Sequence, residues 1–337
     1  MGYFKNLITK FILLMQQHPG VLAIVSFCSG VASYVLVERK ESFAQFIAIL
    51  LLISWLWLII DNWLRDKVEQ SFGVTVSPNF MRFALQMVQQ ESLFFALPFF
   101  LAVTQWHHPQ ALFTGLIISC AVISLIDPLY YKTLVKHRTL FTVFHNFALF
   151  VVLIVTLPIL FKLTTNQSLA IALSCAIIFT LPSLSNLMPN VRWWRFPVLI
   201  ALLCILSAGV WQLRSWVPPA ALRLTDITVS HAVDSAKRRP IGSIKQLTAT
   251  VLHQQGLYSW TAVKAPRGLN ETIFHVWRHN HKEVDRIALN ITGGREQGYR
   301  AWSHKVNFPA EATGNWQVQV VTESGQLIGL TQFTVTR

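Results

Sequence analysis

Acidic residues are scarce in this chain: 15 Asp and Glu stand against 28 Lys and Arg among 337 residues, and charged residues make up only 13% of the total. A soluble domain carries roughly 25%, so about half the expected charge is missing. Cysteine is nearly absent too. The four that occur (Cys28, Cys120, Cys175 and Cys204) all lie in apolar runs, where cysteine acts as a small hydrophobe. No cysteine spacing suits zinc, an iron–sulfur cluster or a thioredoxin-type pair. The last third of the chain has no cysteine, so it stands without disulfides and its redox compartment is left open. Catalytic signatures are missing as well. There is no Gly-x-Ser-x-Gly elbow and no His-Glu-x-x-His. Gly293, Gly294 and Gly298 are not followed by the Lys-Ser/Thr helix start of a phosphate loop. Nothing in the sequence compels an enzyme, and no cofactor site is indicated.

What the chain has in quantity is apolar sequence, 53% of its residues, and it is unevenly spread. Long apolar runs extend from the N-terminus to about Trp216; beyond Pro218-Pro219 the composition becomes that of an ordinary domain. A bilayer crossing needs about 20 apolar residues. The runs at 20–37, 43–62, 85–105, 110–127, 140–161, 167–187 and 196–213 therefore predict about seven transmembrane helices over 20–216. Residues 1–19 place Phe4, Leu7, Ile8, Phe11, Leu14 and Met15 at helical spacing opposite Lys5 and Lys10, the pattern of an interfacial amphipathic helix. With the N-terminus inside, cytoplasmic segments hold Lys5, Lys10, Arg65, Lys67, Arg82, Lys132, Lys136, Arg138, Arg192 and Arg195, against Arg39, Lys40 and Lys162 opposite. That bias orients the chain, and an odd number of crossings would send residues 217–337 to the periplasm of a Gram-negative cell.

From about residue 222 the hydrophobic period becomes two. Candidate strands are "LRLTDITVS", "LYSWTAVKA", "TIFHVWRHN", "VDRIALNI", "YRAWSHKVNF", "WQVQVVT" and "LIGLTQFTV", with a helix over "SIKQLTATVLHQQG" that stops at Gly256. Turn signals such as "PRGLN", "NHKE", "TGGREQG" and "ESGQ" separate them. The expected fold is thus a helical multi-pass membrane bundle followed by an antiparallel, immunoglobulin-like β-sandwich whose core is 257–336.

Within that domain, Trp277, Tyr299 and Trp302 are interleaved with Arg278, Arg295, Arg300, His304 and Lys305. Aromatic faces beside guanidinium forks suit sugar rings, phosphates and carboxylates, so these residues are the expected ligand face. One of the tryptophans is equally suited to be the sandwich's core residue. Alternation sets Phe274 and Val276 opposite His275 and Trp277, and a Phe/Val face is the easier one to bury. A metal site at the hairpin tip would need His279, His281 and Glu283. His275 and His279 lie ~13 Å apart on one strand and cannot share an ion. The basic residues form no long stripe, which argues against nucleic acid.

Ionisable groups inside apolar segments are costly and are functional candidates by default. Asp61, Glu91, Asp127, His145 and Asn146 come from four predicted spans and fall at a similar depth near the inner boundary. A headgroup, ion or proton site is the functional expectation; helix termination at the interface is the plainer one for the two aspartates.

The segments "GVASYVLVERK", "QESLFFALPFF" and "IDPLYYK" resemble a bacterial membrane-protein family, the domain of unknown function 5924. "APRGLNETIFHVWRHN", "VDRIALNITGGREQGYRAWSHKVNFP" and "GNWQVQVVTESGQLIG" resemble the domain of unknown function 2914. The resemblance implies a proteobacterial inner-membrane protein and carries no catalytic residue with it. Two functional expectations follow. The sandwich binds an envelope polysaccharide, peptidoglycan or a periplasmic protein through its aromatic and basic face, with membrane lipids around the helices. Alternatively, the helices transport or handle lipid at a polar site around Glu91 and His145.

Overall fold

The computed structural model describes Cys28 and residues 45–56, 78–187 and 195–337. The expected interfacial helix over 1–19, the run at 20–37 apart from Cys28, and Asp61 lie outside the described residues. Helices are α1 (Gln45–Leu56), α2 (Pro78–Val103), α3 (Gln110–Leu125), α4 (Arg138–Phe161), α5 (Thr165–Leu187), α6 (Arg195–Gln212) and the short α7 (Ala249–Gln255). By contacts the chain falls into two compact units: 1–98 with 116–156 and 174–190, and 99–115 with 157–173 and 191–337.

The expectation of about seven membrane crossings is not met. Among the described residues one helix, α4, is long and apolar enough to span a bilayer, or two if α3 and the segment bent from it by 97° count as one. The reasons lie in the sequence of each element. The helix α3 stops after 16 residues. At its end Pro128 follows Asp127, and proline cannot continue a hydrogen-bonded ladder. In α2 the segment before the apolar "SLFFALPFFLAV" carries Gln86, Gln89, Gln90 and Glu91. Gln86, Gln89, Gln90 and Leu93 recur at i, i+3, i+4 and i+7 and are all buried, so a glutamine-rich stripe faces the interior of the helical unit.

The β-strands are β1 (Arg223–Ser230), β2 (Ala232–Asp234), β3 (Arg239–Ile241), β4 (Gln246–Thr248), β5 (Leu257–Lys264), β6 (Asn270–His279), β7 (Lys282–Thr292), β8 (Tyr299–Lys305), β9 (Gly314–Thr322) and β10 (Leu327–Thr336). They form a three-stranded sheet in the order β1-β5-β8 and a five-stranded sheet in the order β4-β10-β9-β6-β7, with β2-β3 as a separate hairpin. Every pairing is antiparallel except β4 with β10. The C-terminal β domain is therefore present, as two sheets that share a core. Alternation specifies where strands lie, not which strands pair.

Both sheets contribute to the core. Leu257 of β5, Trp277 of β6, Trp316 and Val318 of β9 and Phe333 of β10 close one cluster; Val263, Ile273, Ile291, Ala301 and Val320 form another. The β6–β7 hairpin turns on Asn280 and His281, whose φ values of 47° and 69° are those of a two-residue type I′ turn. The expected helix over 243–256 begins instead as β4 and becomes α7, ending at Gly256 as expected.

Candidate functional site

Strand alternation on β8 sends Tyr299, Ala301, Ser303 and Lys305 one way and Arg300, Trp302 and His304 the other. The second set lies on the outer face of the three-stranded sheet, where Arg300 pairs across to Ala262, Trp302 to Trp260 and His304 to Tyr258 on β5. The rings of Tyr258 and His304 stack at 3.9 Å with planes 2° apart. One rung along, the guanidinium of Arg238 lies 5.4 Å from the Trp302 ring centroid and the Trp260 indole N–H donates to Arg238 O at 3.1 Å. Arg238 comes from the β2–β3 hairpin, whose tip reaches over this face. Its guanidinium donates to Arg300 O at 2.8 Å, while Arg300 donates to Lys237 O at 3.1 Å and to Gln297 Oε1 at 2.7 Å. Arg295 lies 4.7 Å over the Tyr299 ring. Trp260 is only 4% exposed, so the surface left for stacking is that of Tyr258, Trp302 and His304, with ordered guanidinium groups beside them.

Of the seven expected ligand residues, Arg300, Trp302 and His304 share this face. Arg295 and Tyr299 adjoin it through the connection into β8. Trp277 is fully buried in the core against Phe308 and Phe333. Arg278 lies on the five-stranded sheet, opposite Gln317. Sequence reasoning missed Arg238, Tyr258 and Trp260. The signal for Arg238 was the "KRRP" run before Pro240; Tyr258 and Trp260 alternate within β5, but their partner strand could not be read.

Trp277 faces the other sheet, although Val276 on the opposite face of β6 is buried as well, in a cluster with Val321 and Leu327. His275 is on the same inward face and fully buried, yet its polar atoms are satisfied from the other sheet: Nδ1 is 2.8 Å from Ser303 Oγ and Nε2 is 3.1 Å from Thr261 Oγ1. The Thr261 hydroxyl donates to Ala301 O at 3.3 Å, so it accepts from Nε2–H, leaving Nδ1 to accept from Ser303. Burial holds this imidazole well below its ordinary range, down to about 3. The Ser–His pair has the elements of a nucleophile, but Ser303 is buried as well and no substrate reaches it.

At the hairpin tip, His279 stacks on Trp316 at 4.6 Å and its Nε2 is 2.9 Å from Thr313 O, so that nitrogen donates and is not a metal ligand. Glu283 pairs with Arg286 at 3.4 Å, and His281 occupies the turn. Among the described residues no three His, Cys, Asp or Glu side chains are grouped to hold an ion.

In the helical unit the glutamine stripe of α2 joins two of the expected polar residues. Gln86 donates to Asp127 Oδ1 at 2.9 Å, and Gln89 donates to His145 Nδ1 at 2.9 Å while accepting from the Tyr130 hydroxyl at 2.6 Å. The Trp55 ring lies 4.8 Å from that of His145, and its N–H donates to Ser92 Oγ at 2.8 Å. Asn146 donates to Thr180 at 2.8 Å, and its buried Oδ1 has no hydrogen-bond partner among the described residues. Glu91 is half-buried, about 200° around the helix from Gln89. Gln86, Gln89 and Tyr130 carry this network and were missed, because uncharged residues stand out little in a scan for ionisable groups.

These features define a two-part protein, a helical region with a buried glutamine–histidine network followed by a β-sandwich with an aromatic and basic outer face. The chain belongs to the family of unknown function DUF5924, whose model matches residues 1–259, and residues 270–335 match the protein of unknown function DUF2914. No curated protein and no solved structure matches it.

Proposed function

We propose that this is a membrane-associated envelope protein whose β-sandwich, outside the cytoplasm, holds an envelope polysaccharide, peptidoglycan or a protein partner on the outer face of its three-stranded sheet. The observation that carries the reading is the Tyr258–His304 stack beside the partly exposed Trp302, flanked by Arg238 and Arg300. Pyranose rings stack on such aromatic faces, and guanidinium groups pair with the carboxylates of peptidoglycan peptides. Membrane association is supported by the length and apolarity of α4 and by Leu112, Leu116, Val143, Ile178, Ile205 and Leu206, which the helices leave exposed. The test is co-sedimentation of the full-length protein in detergent with purified peptidoglycan sacculi. Trp302→Ala and His304→Ala should each lower the retained fraction at least fivefold, with Arg278→Ala, on the other sheet, as the unaffected control. Equal retention of all four proteins, or none by the wild type, would sink the proposal for this ligand.

A second reading, lipid or ion handling at the helical network, is favoured by the buried Asn146 Oδ1, unpartnered among the described residues, and the Tyr130–Gln89–His145 chain. It requires that Glu91→Gln and His145→Ala each fail to rescue a deletion strain that a protein lacking residues 222–337 still partly rescues. The opposite pattern returns the function to the sandwich.

A further inference from the structure

At the start of β6 an acidic side chain is almost wholly enclosed. Glu271 is 4% exposed, and its Oε2 accepts from the backbone N–H of Thr165 at 2.8 Å and from the Thr165 hydroxyl at 3.0 Å. Thr165 is the first residue of α5, a helix that already carries its own capping box: Thr164 N donates to Gln167 Oε1 at 3.0 Å and Gln167 N to Thr164 Oγ1 at 3.3 Å. Glu271 therefore supplies from a strand what the box leaves over, an acceptor for a first-turn amide. The rest of this seam is neutral. Ser324 donates to Asn166 at 2.9 Å, Gln326 to Val217 O at 2.8 Å and Gln110 to Leu327 O at 2.9 Å. The ionisable groups on the surrounding elements are Glu323 in the β9–β10 turn, Lys162 before α5, lying against Gly268, Arg267 in the β5–β6 loop, and Arg223 and Lys264 at the paired ends of β1 and β5. Of these, Glu323 is the one whose charge acts on Glu271.

We propose that Glu271 is a proton-operated fastener between β6 and the first turn of α5. With a proton on its carboxyl it rests in the seam and accepts from Thr165; on losing that proton it becomes a buried anion beside Glu323, and the seam opens more often. The enclosure supports this direction. Burial is the largest influence and holds the carboxyl up at about 6 from an ordinary 4.5; the like charge of Glu323 adds to it, and the two Thr165 hydrogen bonds oppose it. The closed seam thus binds the proton more tightly than the open one. Closure is strongest below pH 4.5, weakens as pH rises to about 6, and changes little above that. The opening constant should rise up to ~30-fold across that window, tenfold for each pH unit between the two values.

The experiment is amide hydrogen exchange on the full-length protein in detergent micelles at pH 4.5, 5.5 and 7.0, corrected for intrinsic rates. It reads residues 165–168 and 271–273, with the interior of β9 as reference. For the wild type, protection at the seam should fall at least tenfold from pH 4.5 to 7.0 relative to β9. Glu271→Gln, which keeps an acceptor for Thr165 without a titrating proton, should keep protection level across the range. Seam protection in the wild type that changes less than twofold overturns the proposal whatever the variant does, as does a Glu271→Gln protein that keeps the wild-type slope.

Discussion

His275 illustrates how a single residue can set which face of a strand is inside. Its strand offers two candidate faces, and Phe274 with Val276 is the more apolar. The structure buries His275 and Trp277 because Thr261 and Ser303, from the opposite sheet, satisfy both ring nitrogens. That pairing depends on residues 14 and 28 positions away in the chain, which is why the shared face of His275 and Trp277 was legible in the sequence and its direction was not. The pairing also makes a pH prediction. With the folded pKa depressed from 6.5 to about 3, the neutral imidazole contributes stability that is fully present above pH 6.5 and is lost as pH falls toward 3. The slope approaches ~1.4 kcal/mol per pH unit. Chemical denaturation of the sandwich between pH 7 and 5 should show this decline, and His275→Gln should flatten it while lowering stability at neutral pH. Equal pH slopes for the wild type and His275→Gln over that interval would contradict the buried neutral tautomer, since the opposing contribution of Glu271 is common to both proteins.

At the scale of elements, seven strands of the β domain were legible nearly to their ends, because each alternates on a half-buried surface and is bounded by turn residues, whereas the three-residue strands β2, β3 and β4 are too short to show a period. The segment "TIFHVWRHN" lies within β6 apart from Asn280, and "WQVQVVT" lies wholly within β9. Helix boundaries were legible too, but crossing ability was not. A hydropathy run averages over the glutamine stripe of α2 that the helical unit buries, and it cannot register the break at Pro128. The turn at Asn280-His281 yields a stability prediction of its own. A non-glycine residue at φ 69° is strained, and Asn-Gly is the preferred type I′ pair. His281→Gly should therefore raise stability by ~0.5 kcal/mol, and the β-branched His281→Val should lower it by ~1–2 kcal/mol. Thermal denaturation of the two variants beside the wild type checks both signs. The capping box of α5 gives a third expectation at this scale: Gln167→Ala should cost about 0.5–1 kcal/mol.

Across the whole molecule, the two family matches do not correspond to two separable domains. DUF5924 ends at residue 259, inside β5, and DUF2914 begins at β6. Yet β8 has no sheet partner except β5, and β4 closes the five-stranded sheet against β10. A fragment of 270–337 should therefore fail to fold, showing no cooperative transition by circular dichroism, while 217–337, with every strand of both sheets, should show one. Membrane orientation is decided at the same scale. Among the described residues α4 is the one unbroken helix long and apolar enough to cross. Lys132, Lys136 and Arg138 precede its apolar stretch and Lys162 alone follows it directly. Basic residues next to a span tend to stay in the cytoplasm, so the proposed reading requires the end of α4 to emerge on the far side and the sandwich to follow it. Alkaline phosphatase fused after Arg337 should be active and green fluorescent protein fused at the same point dark. A fluorescent, phosphatase-silent pair would return the sandwich to the cytoplasm, where no peptidoglycan reaches the Trp302 face.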